Sequence, residues 1–177
     1  ASATLPVRYE IRTTGSVSAT MKQICSSVVS EGGYQIKTNT FVQARSVTLS
    51  TSGTSYPVIS IRLKSTCLDA VALLNSLEIL TKTNDNLTWY IYKNPVLTNA
   101  SWVAHDRSNL VEVDVSATAV SVNGGTLLYQ GFAYQKQLTA FSVNDYQMQL
   151  SRTTAADVYT IVMSSDGTSS TANVVLR

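Results

Sequence analysis

One histidine and eleven carboxylates bound the chemistry open to this chain. His105 is followed by Asp106 and, two residues on, by Ser108, the three residue types of a hydrolytic triad. A triad is assembled from distant positions that converge on a scaffold, and three neighbours in one loop rarely have that geometry. The trio reads more simply as a polar surface loop. Glu112 and Asp114 sit two apart in a strand pattern, which puts their carboxylates on one face about 6.6–7 Å apart. That spacing suits glycoside acid/base work, and it suits any solvated strand face equally well. Together with Asp106 these carboxylates could hold a hard cation, but no loop with alternating acidic ligands is present. A single histidine and the distant Cys25 and Cys67 make no zinc signature, and there is no glycine-rich phosphate loop. The residues name no catalytic group, no metal site and no cofactor, so a non-enzymatic protein is expected.

The nine tyrosines point to contact instead. In LTWYIYK, Leu87, Trp89 and Ile91 oppose Thr88, Tyr90 and Tyr92. If the Tyr90–Tyr92 face is exposed, it offers amphipathic aromatic surface of the kind used at protein and sugar interfaces. Otherwise both faces of the strand are buried, by the sandwich or by a neighbouring subunit. Trp102, in the loop that carries His105, is the third candidate contact residue. Asn86-Leu87-Thr88 and Asn99-Ala100-Ser101 match the glycosylation sequon, which matters only in a secreted eukaryotic chain.

The elements that must position these residues are strands. The charged fraction, 14%, is well below the usual figure of about 25%. Serine and threonine fill the gap, and Thr, Val, Ile and Tyr favour strands while Glu and Lys are scarce. The block 56–95 is the longest apolar stretch: Ile59, Ile61 and Leu63 alternate with Ser60, Arg62 and Lys64 at its start, and the Trp89 strand closes it. Leu5–Ile11 alternates likewise, with Pro6 suited to a strand start or an edge. Two strands are expected over 34–44 and 45–50. Val111, Val113 and Val115 oppose Leu110, Glu112 and Asp114, giving one apolar and one acidic face. Hairpins are expected around Thr51–Thr54, Asn123-Gly124 and Asp166-Gly167, and 127–141 reads as strand with a bulge at Gly131.

Two segments read both ways. Met21, Ile24, Cys25, Val28 and Val29 form a helical stripe over 18–30, although the Ser-rich, β-branched content is poor helix material. Over 69–82, Ala70, Leu73, Leu74, Leu77 and Leu80 form a second stripe with Asp69 as a cap. The strand alternative there puts Val71, Leu73, Leu77 and Ile79 on one face, with Leu74 and Leu80 buried on the other. Some ten short elements with turn signals between them make the pattern of a sandwich or barrel. The expectation is one all-β domain over 1–177: an antiparallel, jelly-roll-like sandwich with at most one or two short helices.

A net charge of +2 is weakly basic and the thirteen Lys and Arg are scattered singly. Nucleic-acid binding would want a cluster or stripe. No apolar run approaches 18 residues, so membrane insertion is not expected. Two cysteines make no disulfide framework; buried free thiols and a single bridge both remain open.

Several segments together resemble virion structural proteins of tailed bacteriophages, of the marine and cyanobacterial type. They are LPVRYEI, MKQICSSVVSEGGY, YPVISIRL, CLDAVALLNSLEIL, TNDNLTWYIYKNP, VNGGTLL, DVYTIVM and the final ANVVLR. The resemblance spans nearly the whole chain, though no single motif is chemically diagnostic. It implies a β-sandwich module of a head-decoration, fibre or tail-associated protein, located in the virion and often the C-terminal part of something longer. It also implies that both ambiguous stripes are strands. The expected partners are copies of itself, a trimer among the assemblies to consider, and other virion proteins such as the capsid. The alternative reading is a carbohydrate- or receptor-binding adhesin module on a virion or cell surface, meeting a host surface glycan through an aromatic platform around Tyr90, Tyr92 or Trp102.

Overall fold

The alternation in the sequence becomes fourteen β-strands among the described residues of this computed structural model, which are 40–67, 72–142, 149–150 and 157–177. In chain order they are β1 (Gln43–Leu49), β2 (Tyr56–Leu63), β3 (Ala72–Leu73), β4 (Ser76–Thr81), β5 (Leu87–Lys93), β6 (Val96–Thr98) and β7 (Val103–Ala104). There follow β8 (Val111–Asp114), β9 (Ala119–Ser121), β10 (Thr126–Ala133), β11 (Leu138–Ser142), β12 (Gln149–Leu150), β13 (Val158–Ser165) and β14 (Ser170–Leu176). No helix occurs among the described residues. The expected strand over 5–11 and the ambiguous segment 18–30 lie outside them.

Every pairing between these strands is antiparallel. One sheet has the order β1-β14-β4-β11, a second β10-β5-β13-β2-β8-β7, and β12-β3 and β6-β9 are short ribbons. Take the main strands β1, β2, β4, β5, β10, β11, β13 and β14 and number them 1 to 8: they run 1-8-3-6 in one sheet and 2-7-4-5 in the other. That is the order of a jelly roll, in which the chain switches sheets as it winds. The fold is an antiparallel β-sandwich of this type, as expected.

This winding corrects three local readings. The turns at Thr51–Thr54 and Asp166-Gly167 each carry the chain from one sheet to the other, so β1 does not pair with β2, nor β13 with β14. The Asn123-Gly124 turn forms, with Gly124 at φ +88° and Gly125 N–H donating to Val122 O at 3.0 Å. Yet its flanking strands diverge, β9 to β6 and β10 to β5. Turn chemistry bends the chain; the apolar faces choose the partner. Likewise β1 runs unbroken across the expected division between 44 and 45.

The core lies between the two sheets. Val47, Leu49, Leu77, Ile79, Ala172, Val174 and Leu176 of the smaller sheet form one cluster with Ile59, Ile61, Leu63, Leu87, Trp89, Ile91, Tyr159, Ile161 and Met163 of the larger. Each large apolar side chain buried here contributes about 1.5–3 kcal/mol. The alternation read for β2 and β5 therefore holds residue by residue. In the second ambiguous segment, residues 72–81 supply β3 and β4. There Leu77 and Ile79 face the core while Leu80 is 39% exposed, so β4 is covered on one face and not on both. The helical stripe loses because β4 is a central strand, hydrogen-bonded to β14 and β11; pairing on both sides outweighs a local pattern.

Gly131 is not the bulge. The irregularity in β10 falls between Leu127 and Tyr129, whereas Gly131 pairs with Trp89. The indole lies over it so closely that a Cβ would meet Trp89 Cζ2 at 2.4 Å. An aromatic ring across from a glycine covers the backbone that glycine leaves bare. The same ring packs on Phe141 at 5.1 Å, and Phe141 on Tyr129 at 5.2 Å, so this aromatic group ties the β10 edge of one sheet to the β11 edge of the other.

Candidate contact surfaces

The residues singled out by their chemistry lie on the outer face of the larger sheet, which has two halves. On β10, β5 and β13, neighbouring residues form rows: Phe132–Thr88–Ser164, then Gln130–Tyr90–Val162, then Leu127–Tyr92–Thr160. The last row continues through Ser60 of β2 to Asp114 of β8. The connection from β5 to β10 adds β7 and β8 beyond β2 and forms the β6–β9 ribbon, whose β9 packs against β2.

In this half the polar groups are buried and paired. Thr160 Oγ1 donates to Ser60 Oγ at 3.0 Å, with both residues at most 1% exposed. Asp114 is 2% exposed. Its Oδ1 accepts from Ser101 N–H, Ser116 N–H and Ser116 Oγ at 2.9, 3.0 and 2.6 Å. Its Oδ2 accepts from Ala117 N–H at 3.2 Å. Burial pushes the carboxyl pKa up, and these hydrogen bonds more than reverse it, so the net shift is downward. Asp114 ties the loops on either side of β7 and β8 together. The expected acidic face is thus closed at Asp114, while Glu112 stays half-buried. Glu112, on the same face, accepts from Arg62 Nε at 2.8 Å. Both carboxylates are engaged in holding structure.

Trp102 belongs to this half as well. The Arg62 guanidinium sits over its half-buried ring at 4.2 Å from the centroid, so one face of the indole is taken by a cation. Tyr90 and Tyr92 lie elsewhere, side by side along β5 with ring centroids 5.9 Å apart and both half-buried. Burial, then the neighbouring Tyr90, raises the Tyr92 pKa. The structure brings these two together and leaves Trp102 apart.

The His105 loop is a tied turn. His105 is 6% exposed and accepts the Arg107 N–H at Nδ1, 3.1 Å. That assigns the proton to Nε2, which faces Val42 O at 3.3 Å. Ser108 Oγ accepts from Leu110 N–H at 3.2 Å. The hydroxyl closes its own turn and no triad forms. No group of three or more metal-ligating side chains occurs among the described residues. Cys67 is a free, half-buried thiol, and Cys25 lies outside the described residues. The sequon side chains Asn86 and Asn99 donate to Asp166 Oδ2 and Thr118 Oγ1 at 3.0 and 3.2 Å.

The other half of this face is open. Phe132 and Tyr134 are 57% and 58% exposed, and Leu127 is 44% exposed. With Thr88, Ser164, Ser165, Asn86, Asp166 and Gly53 the two rings line a groove of about 550 Å³. Sequence reasoning missed both residues. Phe132 and Tyr134 at i and i+2, next to the polar Gln135-Lys136-Gln137, were the available signal.

The outer face of the smaller sheet differs in kind. Across β11, β4, β14 and β1 its rows read Leu138–Leu80–Asn173–Ser46 and Ala140–Glu78–Val175–Ala44. Leu138 is the most exposed large apolar side chain described, at 63%. Glu78, the one charged residue in these rows, is paired with Arg177. These two rows are made mostly of small side chains, and their single charge is paired.

Comparison with protein-family models, with curated proteins and with solved structures finds no match to this chain.

Proposed function

We propose that this chain is a non-enzymatic structural module of a tailed-bacteriophage virion, working by packing against copies of itself and against other virion proteins such as the capsid. The observation that carries this reading is the outer face of the smaller sheet. Leu138 and Leu80 form an exposed apolar pair beside Ala140, Val175 and Ala44, with Glu78 paired to Arg177. Two copies meeting through these rows bring little charge together and have few long side chains to immobilise. The placement in a virion rests on the sequence resemblance. Jelly rolls occur as capsid and lectin domains, and since a fold hosts many functions, that analogy is supporting only.

The reading is tested on particles of a phage that encodes this chain, purified by density gradient and probed with an antibody against it. The expected result is co-sedimentation at a fixed copy number per particle. Recovery of the chain only in the particle-free supernatant would overturn the reading.

A further inference from the structure

The groove beside the Asp166 turn has no part in the subunit contact, and its chemistry is specific. We propose that it binds a neutral glycan, one or two pyranose rings stacking on Phe132 and Tyr134 with their hydroxyls turned to the sheet. Three observations converge on this ligand class.

The first is the pairing of aromatic faces with unspent hydroxyls. Phe132, Thr88 and Ser164 are successive cross-strand neighbours, spaced by about 4.8 Å from strand to strand. Thr88 and Ser164 make no side-chain hydrogen bond among the described residues, and both line the groove. A pyranose has an apolar C–H face and a hydroxyl edge, so it meets an aromatic ring and a row of hydroxyls at once. A purely apolar ligand would strip water from those hydroxyls and give nothing back.

The second is charge. No Lys, Arg or His lines the groove, and its one side chain charged at neutral pH is Asp166. A phosphate, sulfate or carboxylate would meet a like charge and no counter-ion, so the site selects a neutral ligand. Each Asp166 oxygen already accepts one hydrogen bond from Asn86, at 2.9 and 3.0 Å, which holds the carboxylate at the rim with lone pairs to spare.

The third is rigidity. Gly53 N–H donates to Ser165 O at 2.8 Å and Ser52 Oγ to Asp166 O at 2.8 Å. Ser170 Oγ donates to Asp85 Oδ2 at 2.6 Å, while Gly167 lies so near the Asp85 carboxyl that a Cβ would meet Oδ1 at 2.2 Å. The groove wall is locked before any ligand arrives, which lowers the entropy cost of binding. Its volume falls within the range of small-ligand sites.

The test is an array of neutral hexose and N-acetylhexosamine oligosaccharides printed beside sialylated and sulfated ones, with hits confirmed by saturation-transfer NMR. Binding to a neutral member is expected, weakened at least about tenfold in both Phe132→Ala and Tyr134→Ala. Thr88→Val should weaken it by a smaller factor, with melting temperatures unchanged throughout. The proposal is overturned by no neutral hit at millimolar ligand, by binding only to the acidic glycans, or by binding that survives both aromatic replacements. None of these outcomes bears on particle association, so the two readings fail separately.

Discussion

The two outer faces of this sandwich are built from the same alternation and put to different ends. On the larger sheet, β9 packs against β2, and the polar groups on that half of the face have partners: Asp114 four hydrogen-bond donors, Thr160 the Ser60 hydroxyl, Glu112 the Arg62 guanidinium. On the smaller sheet the face is bare, small and nearly neutral. The difference separates two kinds of outward residue. A buried polar group with its hydrogen bonds saturated is holding the fold, because leaving it unpaired would be costly. An exposed apolar group gives the fold little and is available to a partner.

Substitutions should divide the same way. Asp114→Ala carries the largest expected effect: it removes the acceptor of the Ser116 and Ala117 N–H groups and leaves the Ser101 N–H with Ser116 Oγ alone, a loss of about 2–4 kcal/mol. Urea denaturation measures it, and a loss below about 0.5 kcal/mol, the range of ordinary surface changes, would erase the distinction between the faces. Gly131→Ala should follow at about 1–3 kcal/mol, because its methyl group collides with the Trp89 indole. A melting curve matching wild type would mean that the ring is free to move aside.

A pH series sharpens the first prediction. The folded-state pKa of Asp114 is lowered, so its contribution is complete above its unfolded value of about 3.9. That contribution is lost as the pH falls through the folded value, the unfolded chain then binding the extra proton. The urea midpoint of wild type should therefore fall toward that of Asp114→Asn between about pH 5 and pH 2. Parallel curves over this window would remove Asp114 as the source. Smallest of all should be the stability effects of Phe132→Ala and Tyr134→Ala, within about 0.5 kcal/mol. A larger loss by thermal melting would make those rings part of the fold.

How much of this was legible depends on what alternation encodes. It assigns a residue to a face, so the inward Ile59, Ile61 and Leu63 and Leu87, Trp89 and Ile91 were readable one by one. It does not say whether the opposite face is roofed. Asp114 alternates like a solvated carboxylate and is buried because the loops flanking β7 and β8 close around it through Ser101, Ser116 and Ala117. Turn residues were legible too, but in a jelly roll a turn often changes sheets, so Gly53, Gly124 and Gly167 mark bends whose flanking strands pair elsewhere. In 69–82, apolar residues three, four and two apart coexist, and only the neighbours β14 and β11 decide between them. Tyr90 and Tyr92 were singled out because they share the Trp89 strand. Phe132 and Tyr134 went unnoticed because the chain around them read as one strand running on to Phe141, where the structure has a strand end and a turn.

The central claim, that the smaller sheet's outer face joins copies of this chain, is tested most directly by sedimentation velocity of purified wild type and Leu138→Lys across a concentration series. A discrete oligomer is expected for wild type, and for the variant a monomer with an unchanged melting temperature. Wild type that stays monomeric at every concentration, or an oligomer that the lysine leaves intact, would contradict it.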